Sequence, residues 1–237
     1  MSKQVCQGLV LRKIDYSDTS LIVKLLTKDH GVRSFLFQGG KRKNKQGNIL
    51  QPLGIVDVEF YQRSDSDLSK ISSVSAAKVY RNIPYDPLKS SILFFLAELI
   101  QKTVHENETE NELYEFVESS LLILDETEHF SNFVLKFLLQ YPQYLGFSFY
   151  RENEPQYFDY QEAGFVKHEP NHPYYLNKEK SSLLLHLSGM KFDGINDPKI
   201  DLNTRRELIH DLLKVYKVFF DNFKDIQSLS VLEVALH

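Results

Sequence analysis

The chain has 237 residues, of which 42% are apolar, and its formal net charge is −4. This apolar content is enough for a folded core, which excludes global disorder, and no run of about 18 uninterrupted apolar residues predicts a transmembrane helix. Cys6 is the only cysteine, which excludes an internal disulfide framework and any zinc site with several cysteine ligands.

The first third of the chain has the pattern of short β-strands. It begins with MSKQVCQGLVLRKID, which lacks the long apolar core of a signal peptide, so we expect a cytoplasmic protein. Stretches rich in β-branched and aliphatic residues alternate with turn sequences such as DYSDT, TKDHG and SDSD. The predicted strands are 5–14, 20–27, 32–38, 53–62 and 68–80. Five such strands predict a small closed barrel, and basic loops on that barrel are typical of an OB-fold.

The rest of the chain has mostly helical periodicity, with a boundary near residues 81–85. We therefore predict an α+β protein with two domains, an OB-fold nucleic-acid-binding domain over 1–81 and a mostly α-helical domain over 82–237. Between the helices, residues 150–175 contain three prolines and many aromatics, and we predict an irregular insertion with one hairpin around Phe158 to Val166. The predicted helices are 90–104 behind an Asp86-Pro87 start, 110–125, 130–147 with an interruption near Pro142 and an end at Gly146, a short helix or turn over 181–190, and 207–223 behind a Thr204–Glu207 capping box.

Charge is divided unevenly between these two parts. Residues 1–81 hold 14 Lys and Arg against 7 Asp and Glu, a net +7, whereas the remainder holds 14 against 25, a net −11. A basic part joined to an acidic part favours a polyanionic partner for the first. The alternative is a solvated strand surface with surplus lysines.

A dense basic run follows the third predicted strand. It lies behind Gly39-Gly40 in a segment without apolar residues, so it has no packing role, and its like charges repel one another unless a polyanion offsets them. We predict that this loop contacts a phosphate backbone. Its cations are Lys41, Arg42, Lys43 and Lys45.

Further nucleic-acid contacts are predicted on neighbouring strands, at Arg12, Lys13 and Arg33. Phe35 and Phe37 alternate on the strand face that carries Arg33, and aromatic rings among cations form stacking surfaces for bases. The alternative is that both rings point into the barrel, whose interior needs large apolar groups, with Arg33 near its rim.

Catalytic and metal-binding signatures are absent from the sequence. There is no P-loop, GxGxxG, GxSxG or HExxH motif, so we expect no enzyme. His168 and His172 lie in a proline-containing loop where they cannot share a helix face, and a stable zinc site needs about three or four ligands.

Taken together, the stretch GLVLRKIDYSDTSLIVKLLTKDHGVRSFLFQGGKRK resembles the opening of the RecO family of recombinational DNA repair proteins. The resemblance extends over nearly the whole chain as an ordered set of short motifs. These are Gly8–Leu11, Tyr16–Thr19, Thr27 with Gly31, Gly39–Arg42, Gln51-Pro52, Ala97-Glu98-Leu99 and Leu145-Gly146.

The resemblance implies an OB-fold followed by a helical domain in a non-enzymatic mediator of the bacterial cytosol, associated with the nucleoid when it acts. It implies binding of single- and double-stranded DNA, annealing of complementary strands and, with RecR, loading of RecA onto DNA coated by single-stranded-DNA-binding protein (SSB). In the family the helical domain receives the acidic, apolar C-terminal tail of SSB. A basic cluster on the last long helix is one place for that tail, with ordinary surface cations as the alternative: Arg205, Arg206, Lys214, Lys217 and Lys224.

The insertion departs from the family pattern. Many members carry a four-cysteine zinc site there, whereas FDYQEAGFVKHEPNHP contains no cysteine. We therefore expect a remnant hairpin without zinc, and no cofactor.

Two other functions fit the same residues. An OB-fold with cations would also serve an RNA-binding protein, because a preference for the 2′-OH cannot be read from sequence. A protein–protein adaptor would use the basic loop to contact an acidic partner.

Overall fold

The computed structural model describes residues 3–41, 49–61, 68–104, 111–220 and 223–235. Contacts between residues divide the chain into two compact units, the first made of Met1–Asp125 with Ile226–Ala235 and the second of Glu126–Asp225 with Leu236–His237. The predicted division after residue 81 stays a prediction.

The N-terminal part of the first unit is a closed five-stranded barrel. Its order is β1-β2-β3-β5-β4, and every neighbouring pair is antiparallel except β3 and β5, which are parallel. This topology confirms the predicted OB-type barrel. The strands are β1 (Lys3–Asp15), β2 (Leu21–Thr27), β3 (Gly31–Phe37), β4 (Ile55–Tyr61) and β5 (Ser69–Ala76).

Alternation of side chains along these strands builds the barrel core. On β3 the inward positions hold Phe35 and Phe37, and on β4 they include Phe60, whose ring centroid lies 5.1 Å from that of Phe35. All three rings are buried, because the interior of a small barrel must be filled by large side chains.

The helices follow the barrel, and the strong sequence signals placed most of them correctly. Asp86 caps α1 by accepting hydrogen bonds from the backbone N–H groups of Leu88 and Lys89, with Pro87 at the first helical position as predicted. In the described ranges the α-helices are α1 (Pro87–Thr103), α2 (Asn111–Glu126), α3 (Phe133–Gln140), α4 (Lys178–Ser188), α5 (Leu202–Phe219) and α6 (Ser228–Ala235).

Two helix predictions need correction. The helix predicted from residue 207 begins at Leu202, because the Asp201 side chain, rather than Thr204, is the N-cap and accepts the backbone N–H of Thr204 at 3.0 Å. The helix α6 was not predicted. In the first unit it packs against α1.

The insertion in the second unit is more ordered than predicted. The expected hairpin is confirmed, because β7 (Tyr157–Asp159) and β8 (Gly164–Val166) pair antiparallel. Two further short strands, β6 (Tyr150–Arg151) and β9 (Tyr175–Leu176), extend it to a four-stranded sheet in the order β6-β8-β7-β9. Aromatic packing supports this sheet, with Phe158 and Phe165 ring centroids 4.8 Å apart.

Candidate nucleic-acid interface

The two glycines before the basic loop have a structural cause. Gly39 has φ of 74°, a left-handed conformation that other residues rarely adopt. A Cβ added to Gly40 would lie 2.7 Å from Cδ1 of Phe37, so only glycine lets the chain pass this close to the core. The loop therefore begins directly at the end of the barrel where Phe37 closes the core.

The first cation of the loop is held beside the turn between β1 and β2. The backbone N–H of Lys41 donates to the carbonyl of Thr19 at 3.3 Å, and its ammonium lies 3.2 Å from the Asp15 carboxylate. Because the Asp15 side chain is 78% exposed, water screens this ion pair, and the lysine can exchange it for a phosphate contact. The other three predicted loop cations, Arg42, Lys43 and Lys45, lie outside the described residues.

One row of directly paired residues faces outward across all five strands and winds around the barrel, from Ile14 near the end of β1 to Lys3 at the start of the same strand. Register partners share a face of the sheet, so their side chains form a continuous band on the barrel surface. The band contains an exposed aromatic ring, Tyr61, between two lysines, with aliphatic side chains beside them. We call it the outer band: Ile14, Ile22, Leu36, Lys70, Tyr61 and Lys3.

A second row of cations lies next to the outer band. Arg12 of β1 is the direct register partner of Lys24 of β2, which is in turn the partner of Ser34 of β3, so the two cations share the outer face. Lys13 is exposed but pairs with Val23, a core residue, and therefore points to the opposite side of β1. The structure thus places Arg12 beside the outer band and Lys13 at the rim.

Lys24, Lys70 and Tyr61 were not predicted from the sequence as interface residues. Each lies in a stretch whose apolar residues predicted a β-strand, and that pattern alone did not indicate a binding role for the polar position. The polar residue inside the apolar stretch LIVKLLT was a usable indication, because a lysine flanked by core positions of a half-buried strand must point outward.

The predicted stacking role of Phe35 and Phe37 is wrong for this structure. Their side chains are 0% and 1% exposed and belong to the barrel core, so neither ring can contact a base. Arg33 lies on the same inward face, half-buried, with its guanidinium carbon 6.0 Å from the Phe60 ring centroid. It is four residues along β3 from Phe37 and is therefore removed from the loop end of the barrel.

The predicted basic cluster on α5 has acidic and neutral partners in the second unit. Lys214 pairs with Asp211 at 2.7 Å and Lys217 with Asp225 at 2.5 Å. Arg206 is half-buried on α5, but Lys224 does not belong to this helix as predicted, because α5 ends at Phe219, and Lys224 is exposed after that end.

Arg205 differs from the other cations of this cluster. It is half-buried and donates hydrogen bonds to two neutral acceptors, the Asn132 side chain at 3.3 Å and the Ile200 carbonyl at 2.7 Å. Burial lowers the pKa of its guanidinium, an effect that the carboxylate of Asp201 partly opposes. Arg205 therefore has a structural role, because its hydrogen bonds link the start of α5 to Asn132 and to the Ile200 carbonyl.

The residues of the insertion do not fit the zinc site of many family members. The chain has no cysteine besides Cys6, which is buried in β1. Over the described residues, no group of three or more His, Cys, Asp and Glu side chains converges as a metal site would require. Instead, Nε2 of His172 lies 3.1 Å from the buried carboxylate of Asp159, which also accepts the backbone N–H groups of Gln161 and Glu162.

Over the described ranges, no helix combines the length and the apolar character needed to cross a bilayer.

The chain is similar to known proteins along most of its length. The family model "Recombination protein O N terminal" matches residues 1–80, and the model "Recombination protein O C terminal" matches residues 84–217. The DNA repair protein RecO of Flavobacterium psychrophilum is 31% identical over 232 residues, which cover 96% of each chain. The DNA repair protein RecO of Phocaeicola vulgatus is 32% identical over 231 residues, which cover 95% of this chain and 96% of the relative.

Proposed function

The chain belongs to the RecO family of DNA repair proteins, and from this we propose that it is a non-enzymatic mediator of DNA repair and recombination. In this function it binds single- and double-stranded DNA and promotes annealing of complementary strands. With RecR, it helps load RecA onto DNA coated by SSB. We further propose that it acts in the bacterial cytosol, associated with the nucleoid, and needs no zinc or other cofactor.

The observation that carries the DNA-binding part is the grouping of cations at one end of the barrel. Arg12, Lys24 and Lys70 share the outer face there, and Lys41 begins the basic loop at the same end. The exposed ring of Tyr61 lies opposite Lys70 and offers a surface on which a base can stack. This grouping favours nucleic acid over the adaptor function, since it provides charge together with a stacking surface.

Annealing follows from the same surface without any reading of base identity. Cations that neutralise the phosphates of two strands lower the repulsion between those strands, and release of counterions drives binding. The bases remain available to pair with one another because the contacts are mainly to the backbone.

The partner contacts are proposed from the family. RecR and the C-terminal tail of SSB bind directly, and RecA is affected indirectly. For the acidic tail we retain the α5 cluster, where the ion pairs of Lys214 and Lys217 are exposed enough for a peptide carboxylate to replace the internal one.

The test is fluorescence anisotropy with a labelled single-stranded DNA of about 30 nucleotides, titrated at several salt concentrations. Two variants divide the interface, Arg12→Ala/Lys70→Ala on the barrel and Lys41→Ala/Arg42→Ala/Lys43→Ala/Lys45→Ala in the loop. The matched control, Lys167→Ala/Lys199→Ala, removes two cations from the second unit.

We expect both interface variants to bind more weakly, with a log–log salt slope shallower by about 0.7 for each lost phosphate contact, while the control is unchanged. Competition with RNA of the same length tests the RNA-binding alternative, which predicts stronger competition than by DNA. Equal binding by the wild type and both interface variants would overturn the proposed surface.

A further inference from the structure

A cavity of about 430 Å³ opens in the first unit, and none of its lining residues belongs to the outer band. One wall is the Gln51–Gly54 turn, a second is the chain that follows β5, and a third is α1. Its volume lies toward the lower end of the range of about 300–1,000 Å³ found for ligand sites. The lining is mostly apolar: Ile49, Pro52, Val79, Ile83, Leu93 and Phe94.

Two of these apolar side chains are strongly exposed. Phe94 is 48% exposed although it lies in the middle of α1, and Val79 is 76% exposed. A grouping of exposed apolar side chains around a concave surface marks a binding site more often than a single exposed residue does.

The walls are fixed by hydrogen bonds within the protein. Leu53 has φ of 52°, and this conformation is held by its backbone N–H, which donates to the Val10 carbonyl at 2.6 Å. The Tyr80 hydroxyl donates to the carbonyl of the same leucine at 2.7 Å, and the Ser90 hydroxyl donates to the Ile83 carbonyl at 2.7 Å. The cavity is therefore preformed, and it offers a ligand apolar surface rather than free backbone groups.

We infer that this cavity receives an unstacked nucleobase of single-stranded DNA, with the exposed Phe94 ring as its stacking surface. The inference rests on the proposed function, because it requires a strand already attracted by the basic residues. The large apolar faces of a base become exposed to water when it leaves the stack. Aromatic or aliphatic side chains can bury those faces without sequence preference.

Charge near the cavity fits a strand that carries a phosphate on each side of the base. Lys78 lines the cavity, with its ammonium 2.9 Å from Glu118, and the exposed Arg81 follows shortly after it in the chain. The first unit thus has apolar side chains that can pack against one base and cations that can contact the phosphates on either side of it.

The experiment compares two labelled oligomers of about 20 nucleotides and equal charge, one of thymidine and one that consists of abasic deoxyribose phosphates. The wild type is expected to bind the thymidine oligomer about 5- to 150-fold more tightly, the range expected for one stacked base. Phe94→Ala and Val79→Ser, both at exposed positions, are expected to reduce this ratio by at least about fivefold. The matched control is Phe219→Ala, which removes a phenylalanine of similar exposure (43%) from the helix α5. Circular dichroism and thermal unfolding establish that each variant is folded.

The outcomes separate this inference from the proposed function. If the wild type binds both oligomers equally, the inference is overturned and phosphate binding remains supported. The same holds if Phe94→Ala and Val79→Ser leave the ratio of the two affinities unchanged. Failure of the wild type to bind either oligomer overturns the proposed function itself. If Phe94→Ala leaves the ratio unchanged but weakens binding of a purified protein partner, the cavity holds an apolar protein side chain instead of a base.

Discussion

The Glu98 carboxylate of α1 caps the N-terminus of α6 by accepting hydrogen bonds from Ser228, at 2.8 Å from its backbone N–H and 2.7 Å from its hydroxyl. The same carboxylate accepts the backbone N–H of Gln227 at 2.9 Å and pairs with Lys102 at 3.1 Å. One side chain of α1 thereby fixes a helix that lies about 130 positions later in the sequence.

We expect Glu98→Ala to weaken the packing of α6 on α1. Loss of a side-chain cap lowers the free energy of unfolding by about 0.5–2 kcal/mol. Limited proteolysis should show faster cleavage within 226–235, and urea unfolding should show the loss of stability. Lys102→Ala is the control, because it removes the ion pair and keeps the cap. Equal protease sensitivity in the wild type and Glu98→Ala would show that the cap does not hold α6.

Asp125 at the end of α2 connects that helix to the segment before α1. Its buried carboxylate accepts the backbone N–H groups of Arg81, Asn82 and Ile83, each at 2.8 Å. Asp125→Ala leaves these buried donors without partners, and we expect it to lower the free energy of unfolding by about 2–4 kcal/mol, more than Asp125→Asn. Urea unfolding of the two variants provides the comparison.

The same carboxylate predicts a pH dependence of stability. Burial acts to raise the pKa of Asp125, but the three backbone hydrogen bonds and the nearby Lys89 outweigh it and hold the pKa below its ordinary value. A lowered pKa in the folded state means that the stabilisation is complete above the unfolded pKa of about 3.9 and is lost as the pH falls through the folded value. Between pH 6 and pH 3, Asp125→Asn should therefore lose less stability than the wild type. A parallel loss in both proteins would contradict this.

Lys136 in the second unit is a buried cation with two oxygen partners. Its ammonium, in a fully buried side chain, lies 2.8 Å from the Lys191 carbonyl and 2.8 Å from the Asp197 carboxylate. Asp197→Ala leaves this charge uncompensated, and we expect it to cost about 3–5 kcal/mol, whereas Lys136→Met replaces the charge by an apolar chain and costs less. Thermal unfolding gives the order of the two variants, and the reverse order would refute the argument.

Because Phe35 is buried, we expect it to contribute to stability and not to DNA binding. We expect Phe35→Ala to lower the free energy of unfolding by about 3–5 kcal/mol, because it leaves a cavity in the barrel core. Phe35→Leu keeps most of the volume, so the folded variant should bind single-stranded DNA as the wild type does. A loss of DNA affinity in folded Phe35→Leu would restore the stacking role.

The small sheet of the insertion is expected to keep its stability after metal removal. The Glu169 carboxylate accepts hydrogen bonds from the hydroxyls of Tyr157, at 3.4 Å, and Tyr175, and the Asp159–His172 contact joins the same region. Prolonged dialysis against a chelator should therefore leave the melting temperature unchanged, whereas Asp159→Ala should lower it. A chelator-induced fall would show that the protein holds a structural metal.

The sequence indicated the fold wherever a local pattern decides it. Alternation predicted the five strands to within a few residues, and the Asp86-Pro87 pair predicted the start of α1. The fifth strand ends at Ala76 rather than Tyr80, because the backbone N–H groups of Ala77 and Lys78 turn toward the Ile55 carbonyl.

Distant contacts account for what could not be predicted. The helix α6 is short, and its cap is supplied by the distant Glu98, so no capping residue beside it in the sequence predicts where it begins. The outer band depends on the register of β3 against β5, which brings Leu36 opposite Lys70 across a long connection. Phe35 and Arg33 have the same alternation whether their face points inward or outward, and only closure of the barrel decides between the two.

Parallel pairing of β3 with β5 also determines the order in which the barrel can form on the ribosome. The strands β1, β2 and β3 emerge first, but one edge of β1 waits for β4 and one edge of β3 waits for β5. A nascent chain that ends before residue 69 therefore exposes unpaired backbone groups on β3, the arrangement that favours pairing with a second chain. The closing strand thus removes the free edge of β3, and a truncation before β5 leaves that edge unpaired.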